Sequence, residues 1–134
     1  MYSVTKTISF CYGHRLLNYD GKCKFLHGHN GIAEIALEAE KLDHRGMVID
    51  FSDIKQTIGS FINDQLDHRI LLCKDDPLVP VLKKMKELHF VMDDNPTAEN
   101  IARLIYESAR KMKLPVVSVK LWETDTSFAV YEGK

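Results

Sequence analysis

Apolar and polar residues alternate from the first positions of the chain. Val4, Ile8 and Phe10 share one parity and Thr5, Thr7 and Ser9 the other, which predicts a half-buried strand over residues 2–10. The same period returns from about His29 to Glu40, with Ala33, Ile35, Leu37 and Ala39 on one side and Glu34, Glu38 and Glu40 on the other. Between them, Asn18-Tyr19-Asp20-Gly21-Lys22 is turn chemistry, so the two strands read as a hairpin with a long loop at its end. The spacing then becomes helical. Phe51, Ile54, Ile58, Phe61, Ile62 and Leu66 form a stripe behind a cap at Asp50 or Ser52, with Gly59 weakening the pattern.

Ile70-Leu71-Leu72 is a brief apolar segment, Asp75-Asp76-Pro77 opens a short helix through Leu82 and Met85, and His89-Phe90-Val91-Met92 reads as a short strand. Asn95-Pro96 starts the clearest helix, with Ile101, Leu104, Ile105, Ser108 and Met112 inward and Lys113-Leu114-Pro115 as its stop. Strands at Val116–Glu123 and Ser127–Glu132 flank the turn Thr124-Asp125-Thr126. The order is two strands, two main helices and two strands. That is an α+β fold, a mostly antiparallel ββααββ sheet with the two helices on one face. Its exposed sheet edges invite pairing with another subunit.

Composition bounds this picture without redirecting it. The 134 residues suit one domain, 1–134, and 45% hydrophobic with 28% charged residues describe a globular protein. A net charge of −1 points to neither nucleic acid nor a membrane surface as partner. No apolar run approaches the roughly 18 residues that span a bilayer, and the N-terminus lacks the apolar core of a signal peptide. Three cysteines are too few, and odd in number, for a disulfide framework, so reduced thiols and a cytoplasmic location are expected.

The chemistry concentrates in Cys23-Lys-Phe-Leu-His27-Gly28-His29, read with His14 upstream. On extended backbone His27 and His29 point to the same face, and a third imidazole from the neighbouring strand completes a three-nitrogen set with one position open, the usual protein contribution to catalytic zinc. Three unrelated histidines, capping or core-satisfying, are the alternative. Gly28 between them would let the backbone approach whatever they hold. Cys23, flanked by Lys22 and Lys24, is placed to be a thiolate base or nucleophile, or else a fourth metal ligand closing a structural site. Cys11 and Cys73 read as small core residues. Asp67-His68 joins a carboxylate to an imidazole suited to proton transfer, or is simply a histidine at a helix C-terminus. Glu123 follows the parity of Val117, Val119 and Leu121 toward the covered face, where a flat ring with adjacent N–H donors would satisfy it; a solvated strand-end glutamate is the other reading. Trp122, of opposite parity, is read as packing.

An ordered set of motifs spans nearly the whole chain: Phe10-x-x-x-His14-Arg15, Cys23-x-x-x-His27-Gly28-His29-Asn30, Ile49-Asp50-Phe51, Leu66-Asp67-His68, Pro96-Thr97-Ala98-Glu99-Asn100 and Glu123-Thr124. In it the sequence resembles the 6-pyruvoyl-tetrahydropterin synthase / 6-carboxytetrahydropterin synthase family. The resemblance implies a tunnelling fold whose subunits join their sheets into a barrel, two barrels stacking commonly as a hexamer (a dimer of trimers), with active sites between subunits. It implies zinc on His14, His27 and His29, Cys23 as general base, Asp67 and His68 as proton-relay partner, and Glu123 as anchor of the pterin's amino-pyrimidine edge, in some members also part of the relay. Thr97 and Glu99 fall in the motif that lines the pterin pocket, and Arg15, Lys22 and Lys24 are candidates to hold triphosphate. The implied substrate is 7,8-dihydroneopterin triphosphate. The short Cys-x-x-x-His-Gly-His spacing resembles the 6-carboxytetrahydropterin synthases of queuosine (7-deazaguanine) biosynthesis, which also release acetaldehyde. The biopterin-type 6-pyruvoyl eliminase is the second reading, and a non-catalytic oligomeric pterin- or zinc-binding protein is the reading from another class.

Overall fold

In the computed structural model, which describes residues 1–133, six strands form one sheet in the order β4-β3-β1-β2-β5-β6. The frame is the hairpin of β1 (Tyr2–His14) and β2 (His27–Ala39), paired antiparallel without interruption from Tyr2↔Ala39 to His14↔His27. β1 therefore runs four residues beyond its alternating segment and carries His14 as its last residue. β2 pairs with β5 (Val116–Thr124), and β5 pairs with β6 (Ser127–Glu132). A bulge between Ala36 and Leu37 shifts the β2–β5 register. It makes Val116 the buried residue at the start of β5, where simple alternation selects Val117.

The sheet is mixed. β3 (Arg69–Cys73) lies parallel to β1, and β4 (His89–Met92) lies parallel to β3, the two joined through helix α2 (Leu78–Met85). The antiparallel ββααββ expectation is thus extended by two short parallel strands and a third helix. Ile70-Leu71-Leu72 gave little strand signal because a strand covered on both faces reads as a continuous apolar run without alternation. Leu71 and Leu72 are fully buried.

The helical stripe after Asp50 forms as expected, but wound unusually. Helix α1 (Phe51–Ile54) continues into π-type turns over Lys55–Gly59 and Ile62–Leu66, with Asp67 N–H bonding back to the Ile62 carbonyl. Ile54, Ile58, Ile62 and Leu66 are all fully buried and spaced by four. Wide π turns offset the advance of narrow α turns, so residues four apart stay in one line. Phe51, predicted inward, is about half exposed. Asp50 caps the helix by accepting from Ser52 N–H at 2.9 Å. Helix α3 (Ala98–Lys111), capped by Thr97, packs Ile101, Ala102, Ile105 and Ala109 on β5 and β6. Helix α1 with its π turns and helix α3 share one face of the sheet with the core residues Phe10, Ala33, Ile35, Leu37, Val119 and Leu121. The opposite face leaves Ile32, Phe128 and Val130 more than 40% exposed. None of the described helices is long and apolar enough to cross a membrane.

One buried ion pair ties the parallel strands' connection to the end of β1. Asp76, its side chain wholly buried, receives both Arg15 Nε, at 2.8 Å, and Arg15 Nη2, together with Leu78 N–H at 2.8 Å. The Arg15 hydrogen bond, aided by the Leu78 amide and opposed by burial, holds the Asp76 carboxyl below the ordinary carboxylate range. Its stabilising contribution is therefore complete above the unfolded-state pKa of about 3.9 and is lost as pH falls through the lower folded value. Asp76→Ala, which leaves the partly exposed Arg15 guanidinium and the Leu78 amide without their acceptor, should cost about 1–3 kcal/mol at neutral pH. Urea midpoints of the unsubstituted protein should fall more steeply on acidification below about pH 4 than those of the variant. Parallel curves would mean that the pair contributes no pH-linked stability.

Candidate metal centre and active site

The hairpin end places three imidazoles by register alone. His14 and His27 are cross-strand partners, Tyr12 is opposite His29, and cross-strand partners share a face. All three histidines therefore point to the helix-covered side, as parity predicted. Their ligating atoms lie within 4.8 Å of one another. Gly28 faces the other way, opposite Gly13, and a Cβ there would stand 3.1 Å from the Tyr12 carbonyl oxygen. It therefore serves the back of the hairpin and not the ligand side.

Backbone carbonyls fix two of the rings. His14 Nδ1 lies 2.7 Å from the Pro96 carbonyl oxygen and His27 Nδ1 2.8 Å from that of Phe25. A carbonyl only accepts, so Nδ1 carries the proton in both, leaving each Nε2 a bare lone pair. These two Nε2 atoms face each other at 3.0 Å. Two lone pairs at that distance repel unless a cation stands between them or one ring is charged. Burial, outweighing the Pro96 contact, lowers the pKa of His14, and burial likewise outweighs Glu123 and lowers that of His29. Both shifts favour the neutral, ligating form. His29 Nε2 is buried and has no hydrogen-bond partner among the described residues; Glu123 Oε1 lies 3.3 Å away without hydrogen-bond alignment. Three converging imidazoles, two of them held from behind by carbonyls, are a donor set that fits zinc, whose tetrahedral N···N edge is about 3.3 Å.

Tyr12 forms the floor of this cluster, edge-on to His14 at 5.3 Å and tilted on His29 at 5.7 Å. A Cβ on Gly31 would come within 2.9 Å of the Tyr12 ring, so only glycine admits the ring there. Burial, and then Glu123, push the Tyr12 phenol well above its ordinary pKa.

Asp67 and His68 form a second constellation, at the junction of α1 and β3. His68 has φ +61°, a left-handed conformation that a non-glycine residue adopts only where its surroundings impose it. Its amide donates to the Cys11 carbonyl at 2.7 Å, and its Nδ1 meets Asp67 Oδ2 at 2.8 Å while the ring stays largely exposed. The adjacent carboxylate and imidazole thus do bond each other. Cys11 N–H donates to Asp67 Oδ1 at 2.9 Å. Burial opposes ionisation of Asp67 but is outweighed by Cys11 and His68, and its carboxyl stays below the ordinary range. Cys11 Sγ, the Asp67 carboxylate and the His68 ring come within 4.8 Å of one another, so Cys11 is part of this constellation and not merely core. No sequence spacing marked it, since residues 11 and 67 meet only through the β1–β3 pairing. Cys11, His27, Asn30 and His68 border one groove.

The remaining candidates lie apart from these two clusters. Cys23 sits half-buried in the turn Lys22–Lys24, its carbonyl accepting from Leu16 N–H at 2.9 Å, and is a member of neither group. Glu99 is exposed and borders a shallow pocket with Glu123, Ala98 and Phe128. Thr97 Oγ1 accepts from Asn100 N–H at 3.2 Å, a helix cap. Both forks of Arg15 reach Asp76. Trp122 Nε1 donates to Glu34, and its ring lies against Phe128 with centroids 4.5 Å apart.

The sequence model of the family described as 6-pyruvoyl tetrahydropterin synthase matches residues 3–134. A Rickettsia conorii protein named 6-carboxy-5,6,7,8-tetrahydropterin synthase is 39% identical over 135 residues, covering 96% of this chain and 98% of that one. A Haemophilus influenzae protein of the same name is 33% identical, covering 98% and 99%. Among solved structures, 6-pyruvoyl tetrahydropterin synthase of Caenorhabditis elegans superposes with a TM-score of 0.73 at 24% identity, over 99% of this chain and 96% of its own. Its fold is the tunnelling fold expected from the motifs. The chain belongs to the 6-pyruvoyl tetrahydropterin synthase family.

Proposed function

We propose that this protein, acting as a single domain over residues 1–134, is a zinc-dependent lyase. It would convert 7,8-dihydroneopterin triphosphate and water to 6-carboxy-5,6,7,8-tetrahydropterin, acetaldehyde and triphosphate in queuosine-type 7-deazaguanine biosynthesis. The observation that carries the reading is the convergence of His14, His27 and His29 beside Glu123, in a chain whose near-full-length relatives bear the 6-carboxytetrahydropterin synthase name.

His14, His27 and His29 would hold zinc, which supplies Lewis acidity to the oxygens of the substrate's side chain. Cys23, as thiolate, takes a proton from that side chain. The Asp67–His68 pair carries protons to and from it, Asp67 fixing Nδ1–H so that the other ring nitrogen does the work. Glu123 accepts the N–H donors of the amino-pyrimidine edge, with Thr97 and Glu99 at the border of the pterin site. Lys22 and Lys24 remain candidates for triphosphate. Since Cys23 joins neither cluster within one chain, its site takes Asp67 and His68 from a neighbouring subunit. The unpaired edges of β4 and β6 and the apolar open face support a homo-oligomer, which we take to be a hexamer of stacked trimers in the cytoplasm.

The test is a product assay on zinc-loaded protein with dihydroneopterin triphosphate, read by mass spectrometry. A 6-carboxy pterin with acetaldehyde is expected. A 6-pyruvoyl pterin without acetaldehyde would make this a biopterin-type eliminase, and zinc-loaded protein that binds the pterin without turning it over would make it a binding protein.

A further inference from the structure

Four consecutive residues at the end of β1 are each tied sideways. His14 Nδ1 bonds the Pro96 carbonyl at 2.7 Å, and Arg15 bonds Asp76 through both sides of its fork. Leu16 N–H bonds the Cys23 carbonyl at 2.9 Å. Leu17 exchanges two bonds with the Asn95 side chain, N–H to Oδ1 at 2.9 Å and carbonyl to Nδ2 at 2.8 Å. Three of the four partners lie in one stretch, 76–96. That stretch is itself anchored at both helix starts. Asp76 accepts from Leu78 N–H beneath α2, while the Asn95 carbonyl accepts from Thr97 N–H and from Asn100 Nδ2 beneath α3.

We propose that Arg15 is a positioning residue for His14 and not a phosphate anchor: with Asp76 and Asn95 it clasps the chain leaving β1 onto the two helix starts and so holds the first metal ligand in register. The inference rests on the zinc reading given above. Its physical grounds are three. His14 is the terminal residue of its strand, where pairing with β2 ends and an untied chain would fray. Asp76 is wholly buried, and a buried carboxylate demands the cation that satisfies it, so Arg15 is committed to it in the resting protein. The bidentate fork also fixes direction as well as distance, which a single bond or a lysine does not. Swinging Arg15 out to a phosphate would strand Asp76.

The test measures zinc affinity by competition with a chromophoric chelator, for the unsubstituted protein and for Arg15→Ala, Asp76→Asn and Asn95→Ala. Helix and sheet content is followed by circular dichroism. Loss of an outer support of a metal ligand typically weakens binding about 10- to 100-fold, and that range is expected for Arg15→Ala and Asp76→Asn, with no further loss when the two are combined. Asn95→Ala buries no unpaired charge, so it reports on the clasp even where the Arg15 variant fails to fold; it should weaken zinc in the same direction. Unchanged zinc affinity in Arg15→Ala and Asn95→Ala would overturn the inference. So would a raised KM for dihydroneopterin triphosphate in Arg15→Ala alone, with zinc binding intact, which is the signature of a phosphate anchor. An unsubstituted protein that binds no zinc would instead defeat the underlying metal assignment.

Discussion

His14→Ala should yield a folded protein that retains almost no zinc and no turnover. His14 is 1% exposed, and its ring touches Tyr12, His27, His29 and the Pro96 carbonyl, so nothing nearby can move in to replace its Nε2. Two nitrogens, even with the Glu123 carboxylate beside His29, are a weaker set than three imidazoles, and affinity collapses when one of three protein ligands is removed. The Pro96 carbonyl also loses its donor, at a cost of about 1–3 kcal/mol, which a chain of this size tolerates. Metal content per chain, measured on protein freed of loosely bound ions, checks this. His44, exposed in a turn, and His89, bonded to the Glu87 carbonyl, are the controls, and their alanine variants should hold zinc as the unsubstituted protein does. Full zinc occupancy in His14→Ala would sink the assignment of the cluster.

The second large effect concerns the proton-moving groups. Cys23→Ala and His68→Ala should each lower turnover by about 10²- to 10⁴-fold with zinc content and fold retained, as removal of a general acid or base does. Because Cys23 and the Asp67–His68 pair are not neighbours within one chain, the two variants should complement each other. Unfolded, mixed in equal amounts and refolded together, they should recover about a quarter of full activity, since random assembly gives one site in four with both groups intact. No recovery on mixing would place all the groups of a site in one subunit. In that case Cys11, already bonded to Asp67, becomes the thiol to examine. Retained turnover in Cys23→Ala would remove that residue from the chemistry.

Much of this arrangement was legible in the sequence because it depends on parity. Alternation alone places His14, His27 and His29 on the face of Ile35 and Leu37, and a bulge-free β1–β2 ladder preserves it. Glu123 is legible only in outline, since the ladder shifts register between Trp122 and Thr124, and what locates the carboxylate is its 3.3 Å approach to His29. Relations that arise from the order of strands left no local trace. Cys11 meets Asp67 only because β3 returns parallel to β1, and a connection of more than fifty residues separates them. Arg15 looked like a free cation because its partner, Asp76, resembled an ordinary helix-start acid before Pro77. The carbonyls of Phe25 and Pro96 that set the imidazole tautomers belong to the backbone, and side-chain identity says nothing about where they point. The π turns were hidden in a stripe that suits an ordinary helix until its four-residue spacing is followed over three turns.

The uninterrupted β1–β2 ladder also bears on how the chain finds its fold. A hairpin that closes one residue out of register would turn His14 toward the opposite face from His27 and His29, and a slip of two would carry it past the end of its partner strand. Either error scatters the three nitrogens. A metal ion present during refolding would therefore bind only chains that have paired correctly and would draw the population toward them, proofreading strand alignment from the far end of the hairpin.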